Sequence, residues 1–89
     1  MITKELLIIN RLGLHARAAA KLAKTAGQFG ARIMVQANNN TADAKSVMSL
    51  MLLAATKGTT LTFSCDGKDE TEAMAAIEAL IGDRFGEED

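Results

Sequence analysis

Aromatic side chains are scarce: the 89 residues include three Phe and no Trp or Tyr. Modules that hold nucleic acid by stacking bases on aromatic rings need more than this, so a nucleic-acid partner is not expected. There is one cysteine, Cys65. It cannot form a disulfide within the chain, which fits a reducing compartment. No apolar run approaches the roughly 20 residues of a membrane span. Residues 6–9 are too short a stretch for a signal peptide and follow Glu5. The expectation is a cytoplasmic protein without membrane insertion. With 48% hydrophobic and 24% charged residues, the composition is that of a globular chain, and the length predicts one domain over residues 1–89, monomeric by default.

The net charge of −1 hides an asymmetry. Residues 1–57 carry eight basic and two acidic side chains, whereas residues 58–89 carry two basic and nine acidic ones. Such a split predicts an electropositive surface suited to an anionic ligand or partner.

The pattern along the chain alternates between strand and helix. Residues 2–9 are β-prone. Ala19, Leu22, Ala23, Ala26 and Phe29 recur at helical spacing, with Arg17, Lys21, Lys24 and Gln28 on the opposite face, so a helix is predicted over 16–28. Residues 31–37 predict a strand with Ile33 and Val35 inward, and Asn38, Asn39 and Asn40 a turn into a short strand at 41–43. Ser46 can cap a helix over 47–56. Residues 60–65 alternate, with Leu61, Phe63 and Cys65 on one face. Asp69 and Glu72 have capping-box spacing ahead of a last helix to about residue 81, with Ala73, Ile77, Leu80 and Ile81 inward. The acidic tail from Gly82 is expected to fray. The order β-α-β-β-α-β-α with a half-solvated sheet predicts an α+β fold, an antiparallel sheet with helices on one face.

His15, the only histidine, falls where a loop becomes the first helix. A helix N-terminus offers unpaired amides and a partial positive charge, which together bind anions. Arg17 can fork onto phosphate or carboxylate oxygens, and Ala16, Ala18, Ala19 and Ala20 let a partner approach closely. A neutral imidazole keeps one lone pair for attack on phosphorus. These features suit reversible phosphorylation of His15. They do not suit hydrolysis: there is no second His and no carboxylate close in sequence to orient the ring. One His and one Cys fifty residues apart form no metal-ligand set, and no cofactor is expected. Ser46, beyond capping, is a candidate phosphorylation site that would add about −1.5 to −2 charges to a docking surface. The nearly all-apolar stretch 47–53 predicts an interaction patch rich in adaptable Met. Gly27 and Gly30 match the spacing of an RNA-binding G-x-x-G loop but have no basic residue between them.

The segments N-R-L-G-L-H-A-R-A-A-A (residues 10–20) and A-K-S-V-M-S-L-M (residues 44–51) resemble the HPr family, small histidine phosphocarriers of the bacterial phosphoenolpyruvate-dependent phosphotransferase system. The likeness extends through A-A-T-K-G-T (residues 54–59) to the ending G-D-R-F-G-E. It implies an open-faced sandwich, a four-stranded antiparallel sheet with three helices on one face. It also implies that His15 takes phosphate on Nδ1 from phosphorylated enzyme I and passes it to an enzyme IIA domain, as a carrier rather than an enzyme. Arg17 matches the family's phosphate-neighbouring arginine, and Ser46 the serine modified by HPr kinase/phosphorylase. The resemblance places docking at Ala20, Val47, Met48 and Met51, with Ala16, Lys21 and Lys24 alongside. Many members have Pro at position 18, where this chain has Ala18, Thr where it has Ala16, and Gly where it has Ser49. The sugar and nitrogen-related branches both remain open, as does a purely regulatory relative that binds partners without onward transfer. A small RNA-binding domain is the more distant alternative.

Overall fold

Alternating side chains build the sheet. In the computed structural model, which describes residues 1–88, β1 (Ile2–Leu7), β2 (Arg32–Ala37), β3 (Asn40–Asp43) and β4 (Thr60–Asp66) form one sheet in the order β1-β4-β2-β3. Every neighbouring pair is antiparallel. The register places Leu6 opposite Leu61, and Cys65 between Ile2 and Ile33. This face also holds Phe63 and Val35; it is buried on β2 and β4, while Ile2 and Leu6 on β1 are half-buried. The other face carries Thr3, Glu5, Thr62, Ser64 and Gln36, as expected for a sheet with one solvated side. Burial pushes the Cys65 thiol up, with the charges of Glu70 and Asp69 acting in the same direction.

Three helices cover the apolar face: α1 (Ala16–Gly27), α2 (Val47–Met51) and α3 (Glu70–Gly82). The predicted face of α1 is the buried one: Ala18, Ala19, Leu22, Ala23 and Ala26 point inward, and Phe29 packs at the margin. α3 contributes Ala73, Met74, Ile77 and Ile81, with Leu80 only half-buried. Asn38 and Asn39 have left-handed φ angles of 50° and 65° and make a two-residue turn, shorter than the expected three-Asn turn because Asn40 already pairs with Ala37 as the first residue of β3.

Several expectations need correction. β1 ends at Leu7 rather than residue 9, although Ile8 still exchanges backbone bonds with Gly58 and Thr59. α2 stops at Met51, not 56. The chain tightens instead to i→i−3 bonds, Leu53 N donating to Leu50 O at 3.1 Å and Ala54 N to Met51 O at 3.3 Å, and Ala54 turns to φ 53°; the Leu53 and Ala55 carbonyls then accept from Asn38 Nδ2 at 2.9 Å and from the Leu14 amide at 2.8 Å. The capping box at Asp69 does not form. Asp69 instead accepts from the amides of Gly30 and Ala31, both at 2.8 Å, and so ties the turn after α1 to the start of α3. Over its described residues the tail folds back onto the domain instead of fraying. It makes a 3-10 turn, Arg84–Gly86, and Phe85 is 1% exposed. Arg84 and Phe85 both hold positive φ, near 55°. That conformation costs about 1–2 kcal/mol per residue, and burying the phenyl ring offsets it by about 1.5–3 kcal/mol. Asp89, the end of the tail expected to fray, lies outside the described residues.

The Gly30 amide bond, helped by the Ala31 amide and Lys45, holds the Asp69 carboxyl below its ordinary range. The gain therefore belongs to the ionised form. Asp69→Ala is expected to lower the melting temperature at neutral pH. The gap should persist above the ordinary Asp value of about 3.9 and close as pH falls through the lower value of the folded state. Equal melting temperatures at neutral pH would show that this tie contributes nothing.

Candidate functional site

The loop between β1 and α1 is built to present one side chain. Gly13 has φ +66°, and a Cβ there would lie 2.6 Å from the Ala55 carbonyl oxygen, so the chain passes too close for any other residue. Leu14 is buried and bonded to that same carbonyl. His15 follows as the residue that starts α1, with an extended backbone (φ −75°, ψ 179°), and its carbonyl accepts from the Ala19 amide at 2.8 Å. Its side chain does not cap the helix, so the ring is free to face outward and is 27% exposed. The amides of Ala16, Arg17 and Ala18 have no intrahelical acceptor, a consequence of standing in the first turn.

His15, Ala16 and Arg17 line one open cleft of about 550 Å³ together with Arg11, Leu12, Glu87 and Glu88. The structure thus brings the predicted His15 and Arg17 together at the positive end of a helix, where an anion is favoured. The basic residues do not form an undivided electropositive face, because Glu87 and Glu88 from the acidic tail line the same cleft. Lys24 and Arg17 are exposed, whereas Lys21 turns onto the tail and donates from Nζ to the Phe85 carbonyl at 2.6 Å.

Ser46 caps α2 as anticipated, its Oγ accepting from the Ser49 amide at 3.2 Å. α2 packs beside α1. Leu50 fills the core while Met48 is 73% and Leu52 76% exposed. Met51 is exposed as well, Val47 is half-buried, and Ala16 and Ala20 are exposed on α1. Apolar side chains left in water at this density mark a surface suited to a partner.

Two polar residues at the site carried no role in the sequence reading. Asn10 has no exposed surface. Its Nδ2 donates to the Gly13 carbonyl and to Glu87 Oε1, both at 2.9 Å. The other oxygen of Glu87, Oε2, pairs with Nε2 of His15. Desolvation works to raise the Glu87 carboxyl. The bonds from Asn10 and His15, and the positive charge that His15 and Lys21 can present, outweigh it, so Glu87 ionises below its ordinary range. A carboxylate does orient the ring, from 72 residues away rather than from nearby in sequence. Among the described residues, no three His, Cys, Asp or Glu side chains gather as a metal site would require, and no helix is long and apolar enough to cross a membrane.

The chain matches, over residues 2–83, the family model described as PTS HPr component phosphorylation site. It is 52% identical over 87 residues to a phosphocarrier protein HPr of Cupriavidus necator, with 98% of each chain covered. Identity to an HPr of Neisseria meningitidis is 48% over 87 residues, again with 98% of each covered. Its structure superposes on the crystal structure of HPr-C-His from Thermoanaerobacter tengcongensis with a TM-score of 0.94, at 41% identity and 99% coverage of each chain.

Phe85 is the anchor that brings Glu87 to the ring, because the intervening backbone is short and is itself bonded, Glu87 N donating to Arg84 O at 2.9 Å. Phe85→Ala is expected to cost about 3 kcal/mol in urea unfolding and to accelerate hydrogen exchange at the Glu87 amide. Unchanged exchange would show that the tail is held by something else.

Proposed function

The chain belongs to the HPr family of the phosphotransferase system, and on that premise we propose that it carries a phosphoryl group on His15, received from phosphorylated enzyme I and handed to an enzyme IIA domain. The observation that carries this reading is the placement of the ring. His15 is partly exposed at the start of α1, on an open cleft it shares with Arg17. Histidine phosphorylation needs an accessible nitrogen and groups that tolerate the dianion, and the partly exposed ring beside Arg17 and the helix end supports that reading.

In this mechanism the free amides of the first turn of α1 and the Arg17 guanidinium receive the phosphoryl oxygens. The site is half open and rests on one helix end. It therefore holds the group without burying it, which suits a carrier whose phosphate must leave as readily as it arrives. The chain supplies the acceptor, and the partners supply the rest of the transfer machinery, so the protein is not an enzyme by itself. Docking would use Ala16, Ala20 and Lys24 on α1 with Val47, Met48 and Met51 on α2, a mixed apolar and basic surface beside the ring. Lys21 contributes less directly, since its ammonium is committed to the Phe85 carbonyl. Ser46 sits at the edge of this surface, where a phosphate added by a kinase/phosphorylase would reverse its charge. Such a carrier works in the cytoplasm and serves either a sugar or a nitrogen-related pathway.

His15→Ala is expected to abolish labelling by phosphoenolpyruvate plus enzyme I, and Arg17→Glu to slow it by about tenfold or more while the melting temperature changes little. Full labelling of the first variant, or wild-type transfer kinetics in the second, would remove that residue from the site. Ser46→Asp is expected to weaken binding to enzyme I by several-fold, measured by titration calorimetry. An unchanged dissociation constant would separate Ser46 from docking.

A further inference from the structure

The imidazole of His15 already has one nitrogen engaged. Nε2 faces Oε2 of Glu87, and Oε1 of the same carboxylate accepts from Asn10. Asn10 cannot turn over to release that oxygen, because its Nδ2 also serves the Gly13 carbonyl and the residue is fully enclosed. The carboxylate is itself delivered by a fixed strap: Phe85 is buried, Lys21 holds its carbonyl at 2.6 Å, and the Glu87 amide closes onto Arg84. An ionised carboxylate only accepts hydrogen bonds. The hydrogen between Glu87 and the ring must therefore sit on Nε2, and in the neutral ring the lone pair is left on Nδ1.

We propose that Glu87 is a positioning residue for phosphoryl transfer, holding the His15 tautomer through a part-buried Asn10–Glu87–His15 chain so that Nδ1 is the nucleophile. This rests on the carrier reading above. In the step, the Nδ1 lone pair forms the N–P bond as the bond between phosphorus and the donor breaks, its electron pair leaving with the donor. No proton moves. The ring becomes positively charged, and its Nε2–H stays against the Glu87 carboxylate, which offsets that charge. On onward transfer the N–P electrons return to Nδ1 and the neutral ring is recovered in the same tautomer. A triad histidine is oriented by its carboxylate on the same principle.

The test uses the full chain and two variants. Nitrogen-resolved NMR of the neutral ring is expected to show the Nε2–H form of the wild type in excess by roughly tenfold or more, a ratio a charge-assisted hydrogen bond supports. Glu87→Ala should lower that excess several-fold. Glu87→Gln should lower it further, because Asn10 claims the amide oxygen and turns the amide NH2 toward Nε2, driving the hydrogen to Nδ1. Labelling by phosphoenolpyruvate plus enzyme I should fall in the same order, Glu87→Gln below Glu87→Ala below wild type, with unchanged affinity for enzyme I. A residue that merely filled space would give the reverse order, since Gln preserves the shape. The inference is overturned by an Nδ1–H wild type, by tautomer ratios that do not respond, by the reverse order of rates, or by labelling that matches or exceeds the wild type in both variants. If the wild-type protein itself takes no phosphate, the carrier reading fails and takes the role of Glu87 in transfer with it. The NMR result then shows separately whether the carboxylate holds the proton.

Discussion

Alanine at positions 18, 19, 23 and 26 gives α1 an inward face with almost no side-chain bulk, and Leu22 is the one large residue on it. This face packs α1 against α2 and α3. With so little side-chain bulk to adjust, the neighbouring helices set the axis of α1 and with it the position of its N-terminus. The loop from Asn10 to Leu14 is drawn onto residues 55–56 by Gly13 and the Leu14 amide. These two constraints meet at His15. The imidazole is therefore held at the positive end of a helix by packing remote from it, with Glu87 on Nε2 and an open cleft beside the ring.

The acidic tail changes how this end of the molecule should be understood. Taken by count, the chain divides into a basic first part and an acidic last part. In space, the strap through Phe85 returns two acidic residues to the cleft that Arg11 and Arg17 line. The site is thus a balanced one. In the proposed carrier role, a helix terminus and an arginine would favour an incoming dianion, and a carboxylate on the far nitrogen would offset the charge of the phosphorylated ring.

Much of this was legible because the signals are local. The alternation at 60–65, the helical spacing of α1, the Ser46 cap and a turn at Asn38 and Asn39 each depend on neighbours within a few residues, and each stands in the structure, with Asn40 drawn from the expected turn into β3. The four-stranded antiparallel sheet with three covering helices is likewise the architecture expected and found. The errors share one cause. Residues 52–56 are compatible with helix, yet the bonds that Asn38 and Leu14 donate to the Leu53 and Ala55 carbonyls hold this stretch on another path, with Ala54 at positive φ. Asp69 has a local option as a cap, and two amides at the far end of α1 outcompete it. Nothing in the composition of the ending marks Glu87 as a partner for His15. Phe85 was the available signal, a lone aromatic in an otherwise polar tail that has to be buried somewhere.

The central claim is that the ring at the start of α1 accepts phosphate and nothing else in the chain does so from the same donor. Mass spectrometry of the intact protein after incubation with enzyme I and phosphoenolpyruvate tests it most directly, with the sample split and one half acidified. The account predicts a single added phosphoryl group that fragmentation assigns to His15 and that acid removes. A phosphoryl group that survives acid, or that maps to any other residue, would contradict it.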